Sequence, residues 1–436
     1  MKSKVYSSVE QFKEQNAELK TDLPISDDNS VLCQKVKIGN LELSNRLVCQ
    51  AMEGCDGTAD GRPDELTVRR YERLSKGGAG LIWFEATAVC NEGRANPRQL
   101  YINKKNLDDF KKIVENIKRW GMKENGYEPA VIMQATHSGR YSKPEGKPAP
   151  IIAYNNPIFE KDNPIDKSRI ITDEGLDRVH ESLVHAAVLA KEAGFDGVDI
   201  KCCHRYLNSE LLSAFTREGR YGGSFENRTR LLRESVRDSI SLCGDGFTVT
   251  SRMNVYDGFP YPYGFGVKEG EGITPDFSEA DRLIKELAEL GVKLLDITMG
   301  NPYFNPHVNR PYAAGGYEPP EHPLCGVARM LKGTAKLGKA NPDVSLICSG
   351  LSFLGAAAPG VAAAFIEEGG FSLAGFGRMI FAYPDFAKDI VNGRFDPKKI
   401  CIACSKCTEI MRAGGTPGCI VRDGETYMPI YKKYCK

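Results

Sequence analysis

Near the end of the chain Cys401, Cys404, Cys407 and Cys419 are spaced C-x2-C-x2-C-x11-C. Four thiols this close suit an iron–sulfur cluster or one zinc ion held by sulfur alone; unligated thiols are the remaining reading. Cys435 lies outside the set and has no assigned role. A second stretch, Lys201-Cys202-Cys203-His204-Arg205-Tyr206-Leu207, places an ammonium, an imidazole and a phenol within six residues. Such groups donate hydrogen bonds or protons to atoms that gain negative charge in a reaction. A third stretch, VIMQATHSGRYSKP, carries Gln134 in an apolar run, then His137 and Arg140. A carboxamide both donates and accepts, which suits a heterocycle edge with a carbonyl beside an N–H.

Chemistry spread over such distant segments needs a frame that gathers it. The 436 residues are enough for an α/β barrel with an appendage. Short apolar runs alternate with longer amphipathic ones, the pattern of βα units. Strands are expected at 46–51, 80–87, 130–135, 197–201, 247–252, 293–298, 344–348 and 371–376. Thr172 opens a helical run on Leu176, Val179, Leu183, Ala187 and Ala190, and Gly194 ends it. A further helix over 277–290 leads through Gly291 to the sixth strand. Eight units predict a (β/α)8 barrel. An open doubly wound sheet would want a glycine-rich dinucleotide turn after its first strand, and that turn is missing. The expected organisation is an N-terminal extension over 1–30, a barrel over 31–395 and a cysteine-rich tail over 396–436. The long loop 138–170 is expected over the catalytic face as a lid.

A net charge of +1 gives no electrostatic case for nucleic acid or an anionic membrane. No signal core and no bilayer-length apolar run is visible, so a cytoplasmic protein is expected. The fourteen cysteines are then thiols or metal ligands rather than disulfides.

YGGSFENRTR, residues 221–230, and DIKCCHRYL, residues 199–207, together resemble the fourth strand and following loop of the old yellow enzyme family of FMN-dependent ene-reductases. With the cysteine tail, the chain resembles the branch of bacterial 2,4-dienoyl-CoA reductase and 2-enoate reductase, over about residues 31–420. The resemblance implies bound FMN, a [4Fe–4S] cluster on the four tail cysteines, and NAD(P)H as direct or indirect electron source. It also implies a flavin site built from Ala51, Met52, Glu53, Gln134, Arg252, Gly350, Gly377 and Arg378. The string FGR-x-x-x-A-x-PDF around the last two is in register with the family, whose final loops hold the flavin phosphate.

The family's H-G-A-(H/N)-G-Y-L motif maps the donors to the substrate oxygen onto Lys201 and His204, and the proton donor onto Tyr206. Reduced FMN would give hydride to the β-carbon of an α,β-unsaturated carbonyl or carboxyl compound, and Tyr206 would protonate the α-carbon. Three departures stand out. Lys201 replaces a histidine, Glu53 stands where a small polar residue is usual, and the third cysteine comes one residue early. A carboxylate at Glu53 would lower the flavin potential unless burial keeps it protonated. Cys55 lies two positions beyond a covalent flavin attachment point of one branch. The branch's usual FAD- and NAD(P)H-binding domain is not expected in the 17 residues after Cys419, which implies a separate electron-donor reductase or direct reduction by NAD(P)H. Two other readings remain: an FMN amine dehydrogenase or demethylase, and a non-catalytic electron-transfer subunit. Tyr303, Asn305 and His307 follow the sixth strand and are expected to line the substrate pocket.

Overall fold

The structure, a computed structural model, describes residues 5–312 and 314–435. Eight parallel strands close into a barrel. They are β1 (Leu47–Cys49), β2 (Leu81–Ala88), β3 (Ala130–Thr136), β4 (Gly197–Ile200), β5 (Thr248–Asn254), β6 (Leu294–Thr298), β7 (Ser345–Cys348) and β8 (Leu373–Phe376). Almost every residue in them is buried, as expected of parallel strands covered on both faces. The fold is the predicted (β/α)8 barrel.

All eight expected strands are present, with shifted ends. β1 stops at Cys49, so Ala51 and Met52 stand in the loop beyond it. β3 and β5 run on because their neighbours keep pairing, Ala88 with Thr136 and Asn254 with Thr298. Gln134 and Arg252 therefore lie inside strands. The helix Asp173–Glu192 is capped by Thr172, whose hydroxyl accepts the Gly175 N–H at 3.1 Å.

One end of the barrel is plugged. The hairpin Val36–Ile38 with Leu41–Leu43 buries Ile38, Leu41 and Leu43 against Val48, Trp83, Ile132 and Ile347 inside the barrel. Each such side chain contributes roughly 1.5–3 kcal/mol. The carboxyl ends of the strands stay open.

Both terminal segments pack onto this frame. Phe12, from the helix Val9–Glu18, is fully buried and meets Tyr6 edge to face at 5.5 Å. The Tyr6 carbonyl accepts the Ala356 N–H at 2.8 Å. A Cβ on Gly355, at φ +59, would lie 2.2 Å from that carbonyl oxygen, so only glycine fits there. The tail crosses the open end. Asp423 pairs with Arg69 at 2.8 Å and with Arg73, both on the helix Glu65–Lys76.

A buried charge triad holds the loop after β1. The Arg70 guanidinium pairs with Asp56, and also with Glu85, which stands where the β2–β3 register slips. Glu85 also accepts the Gly54 N–H at 2.7 Å. Replacing Arg70 with methionine leaves two buried carboxylates without their cation. We expect a loss of about 3–5 kcal/mol in urea unfolding, with weaker flavin retention, because this loop carries Met52 and Glu53.

Candidate active site

The eleven residues that the resemblance assigns to flavin or substrate, from Ala51 to Arg378, all line one pocket at the open end. A buried polar network braces Gln50, Gln134 and Arg252 of its lining. Asp199 accepts from Trp83 Nε1 at 2.8 Å, from Gln134 Nε2 at 2.7 Å and from the Arg252 N–H at 2.7 Å. Gln134 thus commits its amide nitrogen to Asp199. Asp296 accepts from Gln50 Nε2 at 2.9 Å and pairs with Arg252 at 3.0 Å. Burial pushes the Asp296 carboxyl up to about 7 against the pull of Arg252. Sequence reasoning passed over Gln50, Asp199 and Asp296, although a lone acid in an apolar strand is a legible signal.

On one wall stand Lys201, His204 and Tyr206. Lys201 Nζ lies 3.9 Å from the centroid of the Tyr206 ring, and burial lowers the proton affinity of the ammonium. Burial, with Arg252 and Lys201 nearby, holds the His204 imidazole well below its ordinary range, so it is neutral. His204 and Arg205 both have positive φ, +64 and +58. Such strain persists only where neighbours over-determine it. Here Arg205 is fully buried, paired with Asp257 at 2.9 Å and bonded to Tyr154 at 3.0 Å and to Ser213. The network turns His204 into the pocket. Glu53 accepts from Asn96 at 2.9 Å; burial raises its carboxyl and Lys201 opposes the rise.

The NADH:flavin oxidoreductase / NADH oxidase family model matches residues 32–396. The chain belongs to this family. Its members are flavin-dependent oxidoreductases, and that class of chemistry follows from membership. An NADPH dehydrogenase of Halalkalibacterium halodurans is 31% identical over 269 residues, 60% of this chain and 71% of the relative. Among solved structures, a 2-naphthoyl-CoA reductase complex matches with a TM-score of 0.73 and 21% identity, over 94% of this chain and 58% of that one. A histamine dehydrogenase from Rhizobium sp. 4-9 matches at 0.68 and 22%, over 90% and 52%. The chain thus spans little more than half the length of these two proteins.

The pocket suits the family's flavin nucleotide. Arg310 and Arg378 both line it, and each keeps one buried terminal nitrogen without a partner. Burial and the Arg378 charge pull the Arg310 guanidinium down to about 10. Two crowded cations that pair with no acid among the described residues suit a phosphate. Gly350, at φ +100, needs to be glycine for its backbone. Gly377 does not: a Cβ there would meet only Met52 Sδ at 3.5 Å and Gln50 Oε1 at 3.6 Å. The space beside Gly377 is open to a ligand. Nothing in the sequence marked Arg310, which sits in an irregular loop.

The tail also contributes to this pocket, through Cys407, Thr408, Met411, Arg412 and Pro417. Behind it, Cys401, Cys404, Cys407 and Cys419 line a second, smaller cavity that shares Cys407, Arg378 and Phe381 with the first. Ala403 and Ser405, at φ +50 and +60, fold the segment between the first three cysteines. Cys401 Sγ accepts the Ala403 N–H and Cys419 Sγ the Arg422 N–H, both at 3.4 Å. The Ser405 hydroxyl lines the cavity, buried and without a partner. No three of the four sulfurs lie within 4.8 Å of one another. Four thiols around one cavity suit a metal centre held by sulfur.

Other expectations fare less evenly. Tyr303 lines the pocket; Asn305 and His307 do not. Asn305 is spent on the Asp257 carbonyl at 2.8 Å, and His307 on the Tyr317 hydroxyl at 2.5 Å. Loop 138–170 adds no residue to the pocket wall, but its Tyr141 stacks on Tyr303 at 3.8 Å. Cys55 is buried beside Asn96, outside the lining. In the YGGSFENRTR segment, Tyr221 bonds to Asp177 at 2.6 Å and Arg228 pairs with Glu279 at 2.6 Å, so this segment braces the barrel. Arg140 pairs with Glu160 and Glu210.

Cys90, Glu92 and His137 offer ligand-type atoms within 4.8 Å of one another. His137 Nδ1 accepts the Gly139 N–H at 3.1 Å, so its proton sits on Nε2 and no lone pair is left for an ion. Burial lowers His137 from 6.5 to about 4. A lowered pKa stabilises the fold above 6.5, and that stability is lost as pH falls toward and through 4. The difference is about 3 kcal/mol. We expect Tm to fall over this window and His137→Gln to flatten the fall, measured by thermal unfolding in matched buffers.

Proposed function

We propose that this chain is an FMN-dependent ene-reductase acting on α,β-unsaturated carbonyl or carboxyl compounds. The observation that carries the reading is the meeting of Lys201, His204 and Tyr206 with Gln134, Arg252, Arg310 and Arg378 around one pocket. Bound FMN supplies hydride to the β-carbon of an activated alkene. Arg310 and Arg378 would hold its phosphate, and Gln134, its amide nitrogen fixed by Asp199, would meet its ring together with Arg252. Lys201 and His204 donate to the substrate oxygen as it becomes an enolate. Tyr206 protonates the α-carbon.

The four tail cysteines hold a [4Fe–4S] cluster, and such a cluster supplies single-electron transfer. Its cavity shares Cys407, Arg378 and Phe381 with the flavin pocket, which supports exchange between the two groups. Electrons come from NAD(P)H, directly or through a separate reductase.

The test is an anaerobic absorption spectrum with iron and sulfide assays, followed by titration of the photoreduced protein with 2-cyclohexenone. Flavin bands, about four iron and four sulfide per chain, and one saturated ketone per flavin are expected. Absence of flavin under every loading condition sinks the proposal. A flavin that loads but is not reoxidised by any enone or enoate sinks the reductase reading alone.

A further inference from the structure

Tyr206 is 3% exposed. A buried phenol that gives a proton to substrate in each turnover must get it back, and bulk water cannot reach it freely. Its hydroxyl lies 2.8 Å from the Tyr303 hydroxyl. Tyr303 is only half-buried and also lines the pocket. Its ring and its backbone are both held. Its ring stacks on Tyr141 at 3.8 Å, its N–H donates to Asn301 Oδ1 at 2.8 Å, and Asn301 Nδ2 donates to the Tyr141 hydroxyl at 2.8 Å. One side-chain amide thus ties both tyrosines together and fixes the Tyr303 hydroxyl against Tyr206. Packing alone would be served as well by phenylalanine; the two facing hydroxyls ask for another reason.

We propose that Tyr303 is the second member of a two-tyrosine proton relay that reprotonates Tyr206 from solvent. The inference rests on the ene-reductase reading for the purpose of the proton, but the relay itself is a property of the chain. The α-carbon takes the proton as the Tyr206 O–H bond breaks and a C–H bond forms. The tyrosinate left behind takes the hydroxyl proton of Tyr303, and Tyr303 recovers one from water at the pocket mouth. With the hydride delivered to the β-carbon, the substrate gains two electrons and two hydrogens. The flavin is the group oxidised, and water is the final proton source. Tyr303 is a positioning and relay residue; Tyr206 touches the substrate.

The decisive variant is Tyr303→Phe, which keeps the stack on Tyr141 and removes only the hydroxyl. The first readout needs no substrate. In the flavin-loaded protein labelled with 13Cζ-tyrosine, hydroxyl exchange at Tyr206 is followed by the deuterium isotope shift. We expect at least a tenfold slowing in Tyr303→Phe. Unchanged exchange at Tyr206 overturns the relay whatever the reaction turns out to be. The second readout uses 1-nitrocyclohexene, because hydride addition to a nitroalkene gives a nitronate that survives until it is protonated. From the second turnover on, the variant should release a larger share of its product to solution as nitronate than the wild type does. Wild-type partition to the nitroalkane overturns the proposal. Failure of the wild type to reduce any activated alkene would instead fall on the ene-reductase reading and leave the exchange measurement to decide the relay.

Discussion

Replacing His204 with alanine is expected to cut enone turnover by roughly a hundred- to a thousandfold, the usual loss for one donor to a developing oxyanion. Lys201→Met is expected to cost at least as much. The two residues differ in state. His204 is held neutral by burial and by the charges of Arg252 and Lys201. It donates as a neutral N–H throughout the working range, so it adds no inflection to the pH profile. Burial also lowers Lys201, but from a far higher starting point. A charged donor facing a new negative charge is the stronger of the two.

The split between kcat and KM tells where Lys201 acts. If it meets the enolate oxygen, Lys201→Met lowers kcat and kcat/KM together for a neutral enone such as 2-cyclohexenone. If it meets a substrate carboxylate instead, the variant raises KM for an enoate such as cinnamate and leaves the enone untouched. Steady-state kinetics with both substrates, at matched flavin content, measures this directly. We expect the first outcome, because Lys201 shares its wall with His204 and Tyr206. The double variant should lose less than the product of the two single losses, since both donors serve one oxygen.

The same wall shows what the sequence made legible. Parallel strands buried on both faces read as apolar runs, so all eight could be placed by eye. Their ends could not, because pairing with a neighbour decides where a strand stops. Lys201, His204 and Tyr206 came from one short motif, and Gln134 and Arg378 from others. What stayed hidden depends on contacts far apart in the chain. Gln50 and Asp296 meet across 246 positions, and Arg69 and Asp423 across 354. Arg310 carries no pattern of its own and gains meaning only beside Arg378. Arg205 sits at the glycine position of the motif, and only its ion pair with Asp257 explains how an arginine holds a left-handed backbone there. Tyr303 was placed near the pocket by topology alone, and the same reasoning wrongly brought Asn305 and His307 with it.

Cys407→Ser is expected to abolish cluster binding, taking iron and sulfide from about four each per chain to near zero. Cys435 lies outside the cavity lining, and Cys435→Ser should leave both values unchanged. The loss should reach the flavin site, because Cys407 and Arg378 line both cavities, and Thr408, Met411 and Arg412 follow Cys407 into the pocket wall. Metal binding here is also folding free energy for a short segment with little core of its own. The tail should stay tethered, since Asp423 still pairs with Arg69 and Arg73, and Tyr431 on the helix Gly424–Tyr434 still accepts from Lys406 at 3.0 Å. The segment between Cys401 and Cys419 should loosen, seen as new protease cleavage there and weaker FMN retention on dialysis. A zinc-bound wild-type protein with no iron would contradict the cluster assignment. A serine variant that kept its iron would remove Cys407 from the ligand set.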